Sequence, residues 1–490
     1  MEKLIQLIHS QTTENWTHRC KEAFDELYDT QNSRYPEKAK KAATLRAPTF
    51  ATESGVPFAS LIHPSNPDSG AYGGMCFVIF PINNGPCLIA MGIGTQGLSP
   101  DEEILGRPGH ARKVRAICNL MNSQYGNGQM IAWAKQDPTR TDIDAPSNVK
   151  HLFDNYESVF NKYGKVLYGI FAPTDNLETT DKVLKAFLDL MFEERNIFPR
   201  ANAKQEYESI RSEYFEHLFP KVTAEEVVNL LETRKYVILE GPPGTGKTRM
   251  AVDILENIYN NNGISIQFHP NTTYENFIGG LFPEKNTGDL GFHFVPKKGD
   301  LMEAVVEALK NPTKNYLLHI DEINRADLAK VLGEAIYLFE PKSDSPRKVK
   351  LAYTYDEPIR GSLSIPKNLH ILGTMNTADR SIAIVDVAVR RRFAYLKLWP
   401  QMEVVKNISC ELMQEAFMKT TTIFVEYASE ESFNLVPGHS YFLESDPILS
   451  RKLLKVELAP LLEEYIAQGY VTSFADAIKG HLQWIESLTT

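Results

Sequence analysis

Apolar residues recur along this chain in two rhythms. Residues 1–30 place them at helical spacing, which predicts one amphipathic helix or two. Two short continuous runs follow, Met75-Cys-Phe-Val-Ile-Phe80 and Cys87-Leu-Ile-Ala-Met91. The polar word Asn83-Asn-Gly-Pro86 between them predicts a turn, and so a β-hairpin. Gly92-Ile-Gly-Thr-Gln-Gly97 then reads as a glycine-rich loop without the lysine or spacing of a nucleotide site. Helical spacing returns near 151–163 and 179–195, so residues 1–195 read as an α+β domain. Residues 196–222 are charged and contain Pro199 and Pro220; they read as a partly helical linker. Thr223-Ala-Glu-Glu226 has the form of a capping box opening a helix. Strand-type runs at 235–240, 316–320 and 369–373 predict an α/β region over 223–400. From 401 to 490 the spacing is helical, clearest over 453–465, and predicts a small helical lid.

The chemistry concentrates in the α/β region. Gly241-Pro242-Pro243-Gly244-Thr245-Gly246-Lys247-Thr248 reads G-x-x-x-x-G-K-[ST], the phosphate-binding P-loop. It follows the apolar run Lys235–Glu240 and precedes Arg249–Tyr259, whose Met250, Ile254, Leu255 and Ile258 recur at helical spacing. That is the strand–loop–helix context the motif requires. Glycines let the backbone bend around an anion, and amides of the loop and helix N-terminus point at the phosphates. Lys247 is expected to reach the β- and γ-phosphates, and the Thr248 hydroxyl to ligate Mg²⁺.

The run Tyr316–Ile320 ends in Asp321 and Glu322. In this pattern Asp321 holds the Mg²⁺ and Glu322 orients the attacking water. The third run, Leu369–Gly373, ends in Thr374-Met-Asn376. Asn376 at that tip is placed to touch the γ-phosphate or the water. Beyond it stand Arg390, Arg391 and Arg392. Alone, such a cluster solvates a surface. In a ring ATPase, Arg391 or Arg392 could instead reach a neighbour's γ-phosphate, where a planar, permanently charged guanidinium suits the developing charge.

Composition narrows the class. At 490 residues the chain has room for two or three domains. Net charge is −10, so no global basic field draws it to nucleic acid or membrane. Residues 1–200 carry 21 Lys+Arg against 23 Asp+Glu, so the excess of acid lies mostly in the remainder. The first part is thus the better candidate for meeting a polyanion, through Arg107, His110, Arg112, Lys113 and Arg115. A solvated helix face is the competing reading of that cluster. Tyr72 and Trp133 are aromatics that could stack a flipped base, although aromatics are more often core. Five cysteines are scattered with no C-x-x-C, which points to a reduced, cytoplasmic protein without zinc. The N-terminus has no signal-peptide pattern, and the longest apolar region, 75–94, is broken by Pro81, Asn83, Asn84 and Pro86, so no membrane helix is expected. No set of spaced carboxylates with a lysine forms a nuclease centre.

Six words in order are similar to the AAA+ motors of the McrB family, GTPase subunits of modification-dependent (type IV) restriction systems. They are Gly241–Thr248, Phe268–Gly279, Ile320-Asp-Glu-Ile-Asn-Arg-Ala326, Gly373-Thr-Met-Asn-Thr-Ala-Asp-Arg-Ser381, Arg390–Phe393 and Gly438-His-Ser-Tyr-Phe442. The N-terminal half resembles the domain fused to such motors, through Gly74–Phe80 and Gly106–Arg112. The resemblance implies an AAA+ P-loop core with GTP and Mg²⁺, a hexameric ring, an McrC-like partner that carries the nuclease, and recognition of DNA with modified cytosine by the N-terminal domain. It further implies that Asn376–Asp379 supplies the sensor and that Arg325 lies near the subunit interface. No N-K-x-D word is present, so the sequence leaves ATP open. A MoxR-like ATPase that remodels proteins shares the Asp-Glu-Ile-Asn-Arg-Ala word and is the alternative; a scaffold that binds nucleotide without hydrolysis is disfavoured by Glu322 and Asn376.

Overall fold

The computed structural model describes residues 1–10, 14–28, 32–49, 56–82, 85–285, 292–340, 347–378 and 387–488. Contacts divide the chain into two units: Met1–Phe219 with Val425–Ser429, and Pro220–Phe424 with Glu430–Thr490.

The first unit is built on six antiparallel strands, β1 (Thr44–Thr49), β2 (Phe58–Ile62), β3 (Met75–Ile82), β4 (Gly85–Ile93), β5 (Ala132–Ala134) and β6 (Leu167–Phe171). Their order is β1-β2-β3-β4-β6-β5. The expected hairpin is β3–β4, in register from Met75 opposite Ile93 to Ile82 opposite Gly85. Asn83 and Asn84 of its expected turn lie outside the described residues. These strands are apolar throughout rather than alternating because both faces are covered. Val78 and Phe80 pack with Val149, Val159 and Phe160 on one side. Phe77 meets Phe24 of the helix Trp16–Asp25 on the other, ring centroids 6.4 Å apart.

Residues 196–219 are part of this unit rather than a linker. Lys204–Glu216 is a helix whose Ile210 and Tyr214 are buried. Its charges are engaged with the rest of the unit. Arg34 donates to Glu206 at 2.6 Å and, bidentately, to the buried Asp189 at 2.8 and 2.5 Å. Lys182 reaches Glu213 at 2.7 Å. A charged stretch reads as solvated in sequence; here its acids find cations on neighbouring elements.

The second unit carries a five-stranded parallel sheet of β7 (Tyr236–Gly241), β8 (Gly263–Gln267), β11 (Tyr316–Asp321), β14 (Leu369–Asn376) and β15 (Ala394–Lys397), in the order β15-β7-β14-β11-β8. Two small antiparallel pairs, β9 (Gly279–Lys285) with β10 (Phe292–Lys298) and β12 (Val349–Lys350) with β13 (Ser362–Leu363), stand apart from it. Tyr236, Ile238, Leu318, Ile320 and Ile371 enter one core; Val237, Leu239, Leu317 and Leu372 enter another. Alternate residues of each strand thus feed opposite faces, both covered, as a parallel sheet requires. The expected capping box is present: Thr223 Oγ1 accepts the Glu226 amide at 3.2 Å and Glu226 accepts the Thr223 amide at 2.8 Å. Beyond β15 the chain is helical, over Met402–Ile408, Glu411–Tyr427, Pro447–Leu453, Ala459–Ala467 and Ala475–Ser487. This is the α/β AAA+ architecture with a helical end, preceded by an α+β unit. No described helix is long and apolar enough to cross a membrane.

Candidate functional site: a nucleotide pocket at the strand ends

The site forms where β7, β11 and β14 end together. Asn376 lies opposite Gly241 in register, so the tip of β14 sits beside the start of the P-loop. The loop turns sharply there. Gly244 and Gly246 have φ of +77° and +80°, a region that costs other residues strain. A Cβ on Gly244 would also lie 2.4 Å from Ser440 Oγ. The helix Lys247–Asp253 then begins, its N-terminus facing the loop.

Lys247 is buried, and its ammonium donates to the carbonyls of Gly241 and Pro242 at 2.9 and 2.7 Å. Burial pulls its pKa down to about 8, against the opposing pull of Asp321 and Glu322. A bound polyphosphate supplies the anion that this desolvated cation lacks.

Asp321 ends β11 and takes two hydroxyls on one oxygen. Thr248 Oγ1 donates to Oδ1 at 2.7 Å and Thr374 Oγ1 at 2.5 Å. The Thr248 hydroxyl and Asp321 carboxylate form a hard oxygen donor pair, which fits Mg²⁺. These two residues would hold the metal, which when bound neutralises charge on the phosphate oxygens. Thr374 also accepts the Glu322 amide at 3.1 Å, so one side chain positions both acids. Thr374→Val is expected to raise the Mg²⁺ concentration for half-maximal hydrolysis about 10–100-fold, as loss of a group that orients a metal ligand does. A magnesium titration of turnover checks this.

Glu322 adopts φ 53° and ψ 44°, a left-handed conformation rare for a glutamate and typical of strained functional positions. Its carboxylate accepts from Gln267 Nε2 at 3.0 Å and from Arg325 Nε at 2.8 Å. Arg325 is therefore paired with Glu322 of its own chain. Asn376 Oδ1 accepts the Ala378 amide at 3.1 Å, and its carbonyl accepts from Asn324. Asp379 lies outside the described residues. Of the arginines after β14, Arg390 and Arg391 are exposed. Arg392 is buried and donates to the Ala388 carbonyl at 2.6 Å.

The word Gly438-His-Ser-Tyr-Phe442, singled out in the sequence only for its resemblance, belongs to the pocket. The Gly438 and Ser440 amides donate to the carbonyls of Pro243 and Gly244, at 2.9 and 3.0 Å. His439 Nδ1 accepts the Gln401 amide at 3.3 Å, which leaves Nε2 as its N–H. That nitrogen lies 3.6 Å from where a Cβ of Gly246 would be. Burial lowers the His439 pKa to about 4, with Arg249 adding to the effect, so the ring is neutral at pH 7. The contacts of Thr374, Gln267 and His439 escaped sequence reasoning, although Thr374 and His439 stand in words already quoted, because no local spacing names their partners.

The basic cluster at 107–115 is not a solvated face. It lies at the start of the helix Pro108–Tyr125, where His110, Arg112 and Lys113 are buried. The buried Glu194 takes Arg107, His110 Nδ1 at 3.3 Å and Lys113 at 2.9 Å. Burial opposes ionisation of Glu194, yet His110, Lys113 and Arg107 hold its carboxyl well below the usual range. Arg112 donates to the carbonyls of Val425 and Ala428, which belong to the same unit. Arg115 is half-buried and engaged. Trp133 is half-buried against the core, whereas Tyr72 lines a cavity.

Residues 236–393 match the AAA domain of the dynein-related subfamily. The chain is 30% identical over 357 residues to the McrB subunit of the type IV methyl-directed restriction enzyme of Escherichia coli K12, covering 66% of this chain and 75% of that one. It is 26% identical over 268 residues to YdiS, a component of the type II restriction enzyme BsuMI of Bacillus subtilis, covering 46% of this chain and 78% of that one. A stretch of 113 residues is 31% identical to the cytoplasmic dynein heavy chain of Saccharomyces cerevisiae, covering 23% of this chain and 2% of that one. With the P-loop, the paired acids and the strand order already in place, these likenesses identify a P-loop NTPase, and the chain belongs to the McrB family of AAA+ restriction-system subunits.

Proposed function

We propose that this chain is the GTP-hydrolysing, ring-forming motor of a restriction complex, that its first unit reads DNA carrying modified cytosine, and that it drives a nuclease held by an McrC-like partner. The observation that carries the motor reading is the assembly of Lys247, Thr248, Asp321 and Glu322 around one P-loop. Glu322 orients the water, Asn376 faces the γ-phosphate, and Thr248 with Asp321 holds Mg²⁺. Arg391 acts on a neighbouring subunit's nucleotide; its exposure favours it over Arg392. The names of the Escherichia coli and Bacillus subtilis relatives support a restriction role. DNA reading moves from residues 107–115, whose charges are used internally, to the cavity beside Tyr72.

Turnover of the full chain with GTP and with ATP tests the motor, and retention of plain and cytosine-modified duplexes at two salt concentrations tests the reader. GTP turned over at least tenfold faster than ATP, with the modified duplex retained better, is the expected result. Preference for ATP with neither duplex retained would replace this reading with a protein-remodelling ATPase.

A further inference from the structure

A histidine interrupts the apolar strand β11 two residues before Asp321. Side chains two apart on a strand share a face, so Leu317, His319 and Asp321 project to the same side of the sheet. Leu317 there packs with Ala251 of the helix Lys247–Asp253 and with Ile254 and Leu255 beyond it. Leu372, the neighbour of His319 in register on β14, belongs to the same core. His319 thus lies between an apolar core and the acids of the nucleotide pocket, with none of its surface exposed.

The ring is anchored on one side. Nδ1 lies 2.8 Å from Oγ of Ser265, its register partner on the edge strand β8. Nε2 is sealed from solvent and meets no hydrogen-bond partner. Asp321 Oδ1 stands 4.0 Å from it, beyond hydrogen-bond length. Among the described residues His110, His370 and His481 are also buried, and none of them leaves a ring nitrogen sealed and unmet. His110 bonds through both nitrogens, His370 to Tyr259 and His481 to Thr420. A buried polar group without a partner is costly to a folded chain, and an apolar side chain at 319 would carry no such cost.

We infer that His319 is a positioning residue for the metal: its Nε2–H closes on Asp321 and fixes the carboxylate that, with Thr248, holds Mg²⁺. A nitrogen turned toward a carboxylate carries the proton, so Nδ1 accepts from the Ser265 hydroxyl and Ser265 sets the tautomer. A shift of about 1 Å brings Nε2 to hydrogen-bond distance. Thr248 and Thr374 already hold Asp321 Oδ1, but a hydroxyl turns about its C–O bond. The imidazole N–H keeps the one direction that the packed ring gives it. This inference rests on the reading of Thr248 and Asp321 as the holders of the metal.

Binding of a fluorescent, slowly hydrolysed nucleotide analogue to the full chain is measured in EDTA and across a Mg²⁺ titration. The GTP or the ATP form is used, whichever binds more tightly. His319→Leu and His319→Asn leave no donor at the Nε2 position, and should raise the half-saturating Mg²⁺ concentration about 10–100-fold. Binding in EDTA should stay as in wild type. His319→Gln, whose amide reaches as far as Nε2, should restore a value near that of wild type. A role in packing alone would lower melting temperatures and leave one common Mg²⁺ dependence. Ser265 is exposed, so Ser265→Ala spares the core; it should shift the Mg²⁺ dependence in the same direction. Should the His319 variants fail to fold, Ser265→Ala decides. A wild-type Mg²⁺ dependence in the folded variants, or no restoration by His319→Gln, overturns the inference and leaves the metal reading standing. Thr248→Ala tests that reading. If it too leaves the dependence unchanged, or wild type shows none, the metal reading falls and the inference with it.

Discussion

Lys247→Ala is expected to lower nucleotide turnover by about 10²–10³-fold and to weaken nucleotide binding, while Glu322→Gln lowers turnover by about 10²–10⁴-fold and leaves binding intact. The difference follows from where each side chain points. Lys247 is the desolvated cation at the P-loop carbonyls, so its loss removes charge from both the bound state and the transition state. Glu322 stands one residue past Asp321, with its carboxylate bonded to Gln267 and Arg325. On the proposed mechanism it acts on the water, and glutamine keeps its shape without its basicity. Equilibrium binding of a fluorescent GTP analogue beside steady-state turnover separates the two. Equal turnover by wild type and Glu322→Gln would remove Glu322 from the mechanism.

The second large effect concerns assembly. If Arg391 acts on a neighbour, Arg391→Ala is expected to reduce turnover about 10³-fold, as removal of an arginine finger does. Mixing Arg391→Ala with Lys247→Ala subunits should then restore part of the activity, because each supplies what the other lacks. Turnover per subunit should also rise with protein concentration. Arg392→Ala should act mainly through stability, since its guanidinium is held by the Ala388 carbonyl. Arg325→Ala is the informative third case. Its guanidinium bonds Glu322, so its loss should alter turnover even where subunits do not meet. Full turnover by a strict monomer, shown by light scattering in nucleotide, would remove the trans-acting arginine.

Sequence legibility here followed the range of the interactions. A phosphate cradle needs consecutive residues, so Gly241–Thr248 announces itself, as do Asp321 and Glu322 at the end of an apolar run. Continuous apolar runs announced the strands of the α/β region, because both faces of its sheet are buried. The fate of a charge is different, since it depends on a partner far along the chain. Lys113 looks like a phosphate contact until Glu194 is found beside it. The acids of 204–216 look like a linker until Arg34 and Lys182 meet them. The docking of Gly438 and Ser440 on the P-loop joins residues nearly two hundred positions apart, which no spacing rule reports.

The composition of the first unit bears on how such proteins are shuffled and cut. That unit needs the helix Lys204–Glu216 to cover its side and counts Val425–Ser429, from far down the chain, among its own residues. A break at residue 195 therefore does not free a cassette; it strips Ile210 and Tyr214 from their core and leaves Arg34 short of one acid. Recombination that exchanges the first unit for another must carry the junction to Phe219 and supply a matching stretch at 425–429. If the first unit is the reader proposed above, a new specificity is reached more readily by changing side chains within it than by grafting a foreign domain cut at residue 195.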